Sequence, residues 1–290
     1  MLDSVQYAYD AAPAISVGRR DQQEDTVAAD FADGAGLGFI VLADGMGGHS
    51  AGDVASKIVV TEVFSELKML ANDPVNLERN IGPILRRAVI EANDCVGQVA
   101  EHSTGMAGMG STLVAPIVFD NRLYWVSVGD SPLYLFRGSR LFRLNEEHSL
   151  ASQLAKQVAR GEIDANEAAE HPDRSCLTSV LIGAEIPQID CRDTPVTLRS
   201  NDILIAASDG LQFISEQQMA QIIYTNRSLS SSEITSKLLQ SISDLDDPDQ
   251  DNVSLCVLKV LDRSELKSPA PDYDGAAGYA SPQQLRRRSQ

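Results

Sequence analysis

Along this chain, apolar runs that end on small turn residues alternate with stretches whose apolar positions recur every three or four residues. "GLGFIVLAD" (36–44) is a short β-branched and aromatic run closing on a turn signal, the pattern of a buried strand. The period then changes over "SAGDVASKIVVTEVFSELKML". Val59, Val63, Leu67 and Leu70 fall on one helical face, and Ser50 followed by Asp53 resembles a capping box with Asp in place of Glu or Gln. Residues 76–100 predict a stronger helix, with Leu77, Ile81, Leu85, Ala88, Ala92, Val96 and Val99 at three- and four-residue spacing. Strands are expected next at 111–119, 122–129, 132–137 and 140–144. Their short connections carry Asp-Asn or Gly-Ser turn chemistry, so an antiparallel meander is expected. Residues 149–172 read as short polar helices, strands return at 196–198 and 202–208, helices at 215–243, and a last strand at 253–260. Strand-rich and helix-rich blocks are grouped, which points to an α+β layered sandwich and away from a Rossmann alternation.

No linker interrupts residues 1–262, which are expected to form one domain with ample length to bury a core. Within 263–290, "SELKSPAPDYDGAAGYASPQQLRRRSQ" is dominated by Pro, Gly, Ser and Ala, and a disordered C-terminal tail is expected there. The net charge of −17 repels phosphodiester backbones and anionic lipid, so neither nucleic acid nor a membrane is an expected partner. The N-terminus lacks a basic start followed by an apolar core, and the apolar runs fall far below the ~18 residues of a membrane helix. A cytoplasmic protein is the expectation. It fits Cys95, Cys176, Cys191 and Cys256, which form no C-x-x-C pair and read as free thiols.

Charge becomes more informative by position. Asp44, Asp130 and Asp209 each end an apolar strand, Asp251 precedes the last one, and Glu24 and Asp25 precede "TVAAD". Taken singly, each is explained by turn chemistry, since Asp-Gly, Gly-Asp and Asp-Asn pairs favour turns. As a set at the rim of one core, these carboxylates would repel one another unless a cation neutralised them. Hard oxygen ligands suit Mg²⁺ or Mn²⁺, and the lack of a Cys or His cluster argues against zinc. Shared carboxylates can hold two such ions ~3.5–4 Å apart, bridged by a water whose pKa falls toward neutrality, a nucleophile suited to phosphorus. Arg20, four residues before Glu24, is the geometric match for phosphate oxygens, although an Arg near a Glu is more often a surface ion pair. The glycine-rich "DGMGGHSAG" lacks the Lys-Ser/Thr pair of a phosphate loop and fails the dinucleotide pattern at Ser50.

The series "RDQQED" (20–25), "DGMGGHSAG" (44–52), "GMGST" (108–112), "VGDSPLY" (128–134), "EEHS" (146–149), "SDGL" (208–211) and "DN" (251–252) spans about 230 residues. In this order it resembles the metal-dependent type 2C Ser/Thr protein phosphatases (the PPM family), particularly small bacterial members. The resemblance implies a four-layer αββα sandwich, two packed antiparallel sheets flanked by helices, with a metal cleft at one end. It implies two Mn²⁺ or Mg²⁺ ions bridged by Asp44, with the Gly45 carbonyl on one and Asp209 and Asp251 on the second. Glu24 and Asp25 would act largely through metal-bound waters. Arg20 would bind the substrate phosphate and, with Asp44, carry catalysis. Asp130 matches a residue of a third metal site, and 149–180 matches the flap beside the active site. Some positions depart from the pattern. Gln23 stands for Asn, Met46 stands where animal-type members place a His proposed as general acid, and His49 is read as structural. Pro132 stands for the Arg of "GDSR" and Phe213 for an Asp after "SDG", so the third ion is in doubt and the two-metal core intact. The function implied is hydrolysis of phosphoserine and phosphothreonine monoesters in proteins, by a monomer acting on a Ser/Thr kinase and its targets. The alternative is a phosphatase-like module that binds such partners without turnover.

Overall fold

The computed structural model describes residues 7–32, 36–47 and 51–263. Strands β1 (Tyr7–Ser16), β2 (Asp25–Phe31) and β3 (Leu37–Met46) lead into helices α1 (Ala51–Leu70), α2 (Pro74–Arg79) and α3 (Ile81–His102). A two-residue strand β4 (Gly110–Ser111) precedes β5 (Leu113–Phe119), β6 (Arg122–Val128), β7 (Leu133–Arg137) and β8 (Arg140–Arg143). The short helices α4 (Leu150–Ala159) and α5 (Ala165–Ala169) follow, then β9 (Asp190–Thr197) and β10 (Ile203–Ala207). A 3-10 turn (Asp209–Phe213), α6 (Glu216–Asn226), α7 (Ser231–Ser243) and β11 (Val253–Asp262) complete the order.

Two antiparallel sheets result. One runs β1-β11-β10-β7-β8; the other runs β2-β3-β5-β6-β9, with β4 added against β3. The strands sort their side chains by alternation. On β3, Phe39, Val41 and Ala43 pack under α1 and α3, while Ile40 and Leu42 face the other sheet together with Val114, Leu204, Cys256 and Leu258. Helices α6 and α7 cover the far face of the first sheet through Met219, Ile223, Ile234 and Leu238. Both faces of the central strands are therefore buried, which is why they read as continuous apolar runs. The expected αββα sandwich is the fold observed.

Several elements differ from expectation. The four strands after residue 111 do not form one meander: β5 and β6 pair in one sheet, β7 and β8 in the other. The chain changes sheets over residues 129–132. Gly129 adopts φ 101°, packed so closely on Thr112 that a Cβ would sit 2.6 Å from its Cγ2. The Asn145 side chain then fixes the crossing by accepting from Leu133 N (2.8 Å) and donating to the Ser131 carbonyl (2.9 Å). The predicted helix at 76–100 divides at Asn80, which ends α2 and starts α3, and α2 begins earlier than expected, at Pro74, capped by the Asp73 side chain. Strand β9 extends well beyond 196–198, and β1 was not expected. Their polar or Ala-rich sequences hide them, although β1 pairs with β11 along its whole length. Ser50, His49 and most of the expected tail lie outside the described residues.

An ion pair between the buried Asp202 and the half-buried Arg137 braces the end of β7. Asp202, 2% exposed, accepts from Arg137 Nε (2.9 Å) and Nη2 (2.5 Å) and from Arg199 N (2.7 Å). Asp202→Ala would leave the half-buried Arg137 only the Thr197 carbonyl (2.8 Å), so chemical denaturation should show a loss of about 1.5–3 kcal/mol, the scale for hydrogen bonds to a charged group.

Candidate functional site

At one end of the sandwich a cleft of about 290 Å³ gathers Arg20, Glu24, Asp44, Gly45, Asp130, Asp209 and Asp251. They arrive from five parts of the chain: the segment before β2 (Arg20, Glu24), β3 (Asp44, Gly45), the crossing after β6 (Asp130), the turn after β10 (Asp209) and the approach to β11 (Asp251). Asp44 lies near the end of β3, where Thr112 Oγ1 accepts from its N–H (3.0 Å) and Thr112 N and Ser111 Oγ donate to its carbonyl (2.8 and 3.0 Å). Asp130 stands on the crossing between sheets, its carbonyl accepting from Arg143 Nη2 at 2.6 Å. Asp209 opens the 3-10 turn after β10, and Asp251 lies two residues before the start of β11. Gly45 permits a close approach: a Cβ there would meet the Gly52 carbonyl oxygen at 2.0 Å.

Asp25 is placed differently. It stands opposite Asp44 across the β2–β3 ladder, is buried behind the cleft wall, and accepts from Ser208 Oγ at 2.7 Å. Arg20 donates to Asp251 Oδ2 at 2.7 Å, and the neighbouring Arg19 pairs with Asp246. These contacts belong to a strap in which residues 17–24 run along 246–252. Asn252 is its hub: Nδ2 donates to the Val17 and Gln22 carbonyls (2.9 and 3.0 Å), and Oδ1 accepts from Glu24 N (2.7 Å).

The electrostatics follow from crowding in a low-dielectric place. Burial, followed by the charges of Asp25, Asp209, Asp130 and Asp251, pushes the Asp44 carboxyl well above its usual range. Burial drives Asp25 up to about 7, against an opposing hydrogen bond from Ser208, and Asp130 up to about 6 with Asp209 nearby. Asp209 is raised by burial and by Asp251, and Glu24 is raised mainly by burial. Arg20 is pushed above its ordinary value by its hydrogen bond to Asp251. Among the described residues, no three Asp, Glu, His or Cys side chains close on one point as a finished ligand cage. Asp251 accepts from Arg20, Asp25 accepts from Ser208, and Asp209 lies close enough to Asp44 for each to influence the other's charge. The donor set is all hard oxygen and strongly anionic, which fits Mn²⁺ or Mg²⁺.

Sequence reasoning missed Thr112, Ser208 and the hub role of Asn252, whose partners are remote in sequence. Met46 lines the cleft as expected and carries no proton to donate. The flap expected over 149–180 contributes Ser175 and Leu177 to the cleft wall. Its far limb is tied back by Leu150 N to the Cys176 carbonyl (2.9 Å), Ala151 N to the Arg174 carbonyl (2.8 Å) and Thr178 N to the His148 carbonyl (2.9 Å).

A family model described as protein phosphatase 2C matches residues 17–242. The serine/threonine phosphatase stp of Listeria welshimeri is 35% identical over 196 residues, covering 66% of this chain and 74% of that protein. The protein phosphatase PhpP of Streptococcus pneumoniae is 31% identical over 208 residues, covering 71% of this chain and 81% of its own. Among solved structures, the serine/threonine phosphatase PstP/Ppp of Mycobacterium tuberculosis aligns with a TM-score of 0.70 at 29% identity, covering 88% of this chain and 99% of that one. The PstP catalytic domain in complex with two manganese ions aligns at 0.69 with 28% identity, covering 88% of this chain and 100% of that one. The sequence match begins where the strap begins and continues past the turn that presents Asp209: this chain belongs to the protein phosphatase 2C family.

Proposed function

We propose that the carboxylate-lined cleft is the two-metal centre of a Ser/Thr protein phosphatase and that its residues divide the work as follows. Asp44 would be shared by two Mn²⁺ or Mg²⁺ ions, the Gly45 carbonyl would serve one, and Asp209 and Asp251 the other. Glu24 and Asp25 would contribute through ordered water. Bound there, the ions would lower the pKa of water and offset phosphate charge. The observation carrying this reading is the convergence of mutually destabilising carboxylates, from distant parts of the chain, beside one arginine.

Arg20 presents a planar fork suited to two phosphate oxygens. Its pairing with Asp251 directs the exposed arm toward the cleft. Thr112 and Ser111 fix the Asp44 backbone, and Asn252 fixes that of Glu24. The flap residues Ser175 and Leu177 narrow the entrance from the other side. The phosphorylated partners we propose are a Ser/Thr kinase and its targets, met by a monomer in the cytoplasm. Among the described residues no helix is long and apolar enough to cross a membrane.

The test is hydrolysis of a phosphothreonine peptide with Mn²⁺, compared after chelation and in Arg20→Ala. The variant is expected to lower kcat/KM by about 10²-fold, the scale for losing one preorganised donor to a developing anion. Undiminished turnover in the chelated protein would sink the two-metal reading.

A further inference from the structure

Beside the catalytic cleft lies a second cavity of about 340 Å³, lined by Asp130, Glu147, Asp209, Gln212 and Phe213. Asp130 and Asp209 line both cavities, so the two share a wall. Arg143 fixes the outer side of this space, donating to the Asp130 carbonyl and to Glu147 Oε2, each at 2.6 Å. The Ser149 hydroxyl donates to the other Glu147 oxygen. Phe213 closes the 3-10 turn that Asp209 opens; it packs against the core beneath α6 and α7 and is half-buried, and it also lines the cavity.

We infer that this second cavity is a subsite for a basic side chain, lysine or arginine, flanking the phosphorylated residue of a protein substrate. The inference rests on the phosphatase reading above. In that reading Asp209 is engaged by metal, and Arg143 offsets one of the two remaining carboxylates, which leaves a net negative wall beside an aromatic face. A lysine or arginine stem can lie along the Phe213 ring while its charged head reaches Asp130, Glu147 and the Gln212 amide oxygen. An apolar guest would desolvate the carboxylates without pairing them, and an acidic guest would be repelled. Charge balance acts in the same direction. A phosphoryl group brings a charge of about −1.5 to −2 to a protein of net charge −17, and a neighbouring cation on the substrate offsets that repulsion on approach. The reach is short. An extended chain advances about 3.3–3.6 Å per residue, so a cavity one wall away is met by a side chain one or two positions from the phosphothreonine.

The experiment uses short phosphothreonine peptides in an alanine background, with a single lysine moved through the two positions on either side, and Mn²⁺-loaded full-length protein. Lysine at one position is expected to raise kcat/KM about tenfold over the all-alanine peptide, expressed through KM. Glutamate at that position should lower it. In Phe213→Leu and in Glu147→Gln, the ratio of lysine to alanine peptide should shrink to about threefold or less. Equal kcat/KM at every position would overturn the subsite, as would an equal lysine benefit at all four positions, which marks diffuse attraction. A preference that both variants retain would overturn it too. Failure of every peptide to turn over would instead overturn the phosphatase reading on which the inference stands.

Discussion

Asp44→Asn is expected to lower Mn²⁺-dependent hydrolysis of a phosphothreonine peptide by about 10³-fold or more, while making the metal-free protein harder to unfold at pH 8. The two effects have one cause. Asp44 is a buried carboxylate whose folded pKa lies well above its unfolded one, through burial and then through Asp25, Asp209, Asp130 and Asp251. For a group raised in this way, the favourable contribution is present below the unfolded pKa and is lost as pH rises through the folded pKa. At pH 8 without metal, Asp44 must either carry its charge in the crowded cleft or hold a proton that the unfolded chain would release, so it works against the fold either way, and the isosteric amide removes that penalty. At pH 4 the gain should shrink sharply. Thermal unfolding in chelator measures it, at about 2–4 °C for each kcal/mol recovered in a chain of this size. An Asn variant that is inactive and also less stable at pH 8 would contradict the assignment of Asp44 as a charge awaiting cations.

Mn²⁺ is expected to raise the unfolding temperature of the wild-type protein steeply at pH 8 and hardly at all at pH 5. Metal that binds only the folded state stabilises by about 2.7 kcal/mol when its free concentration is a hundred times its dissociation constant. The carboxylates must be ionised to bind it. Asp25 titrates at about 7 and Asp130 at about 6 in the metal-free fold, and Asp44, Asp209 and Glu24 are raised as well. Protons therefore compete with metal across this window, and the stabilising effect should fall as pH drops through it. Calorimetric unfolding with Mn²⁺ and with chelator, at several pH values between 5 and 8, reads the difference. A pH-independent Mn²⁺ effect would mean that the ion binds somewhere other than this cleft.

The elements easiest to read in the sequence were those whose burial leaves a one-dimensional trace. On β3 both faces are covered, giving "GFIVLA", and α3 buries one stripe, giving a clean three- and four-residue period. Sheet membership left no such trace, because β6 and β7 are buried alike and the link between them has the length of a hairpin. The carboxylates could be anticipated because strand ends repeatedly delivered an Asp beside Gly or Asn. Thr112, Ser208 and Asn252 could not: their value lies in hydrogen bonds to residues brought near only by the fold, such as Asn252 to Glu24. The family resemblance supplied the two-sheet architecture that periodicity had reduced to a layered sandwich.

The strap between residues 17–24 and 246–252 has a consequence for biosynthesis. Arg20 and Asp251 are 231 positions apart, and β1 has β11 as its neighbour in the sheet. A chain emerging from the ribosome therefore presents Arg20, the proposed phosphate-binding arm, long before the partner it pairs with exists. Until β11 has been made and has docked, the arm has no anchor and Asp251 is missing from the cleft. If Arg20 and Asp251 have the roles proposed for them, hydrolysis is expected only from chains in which β11 has docked.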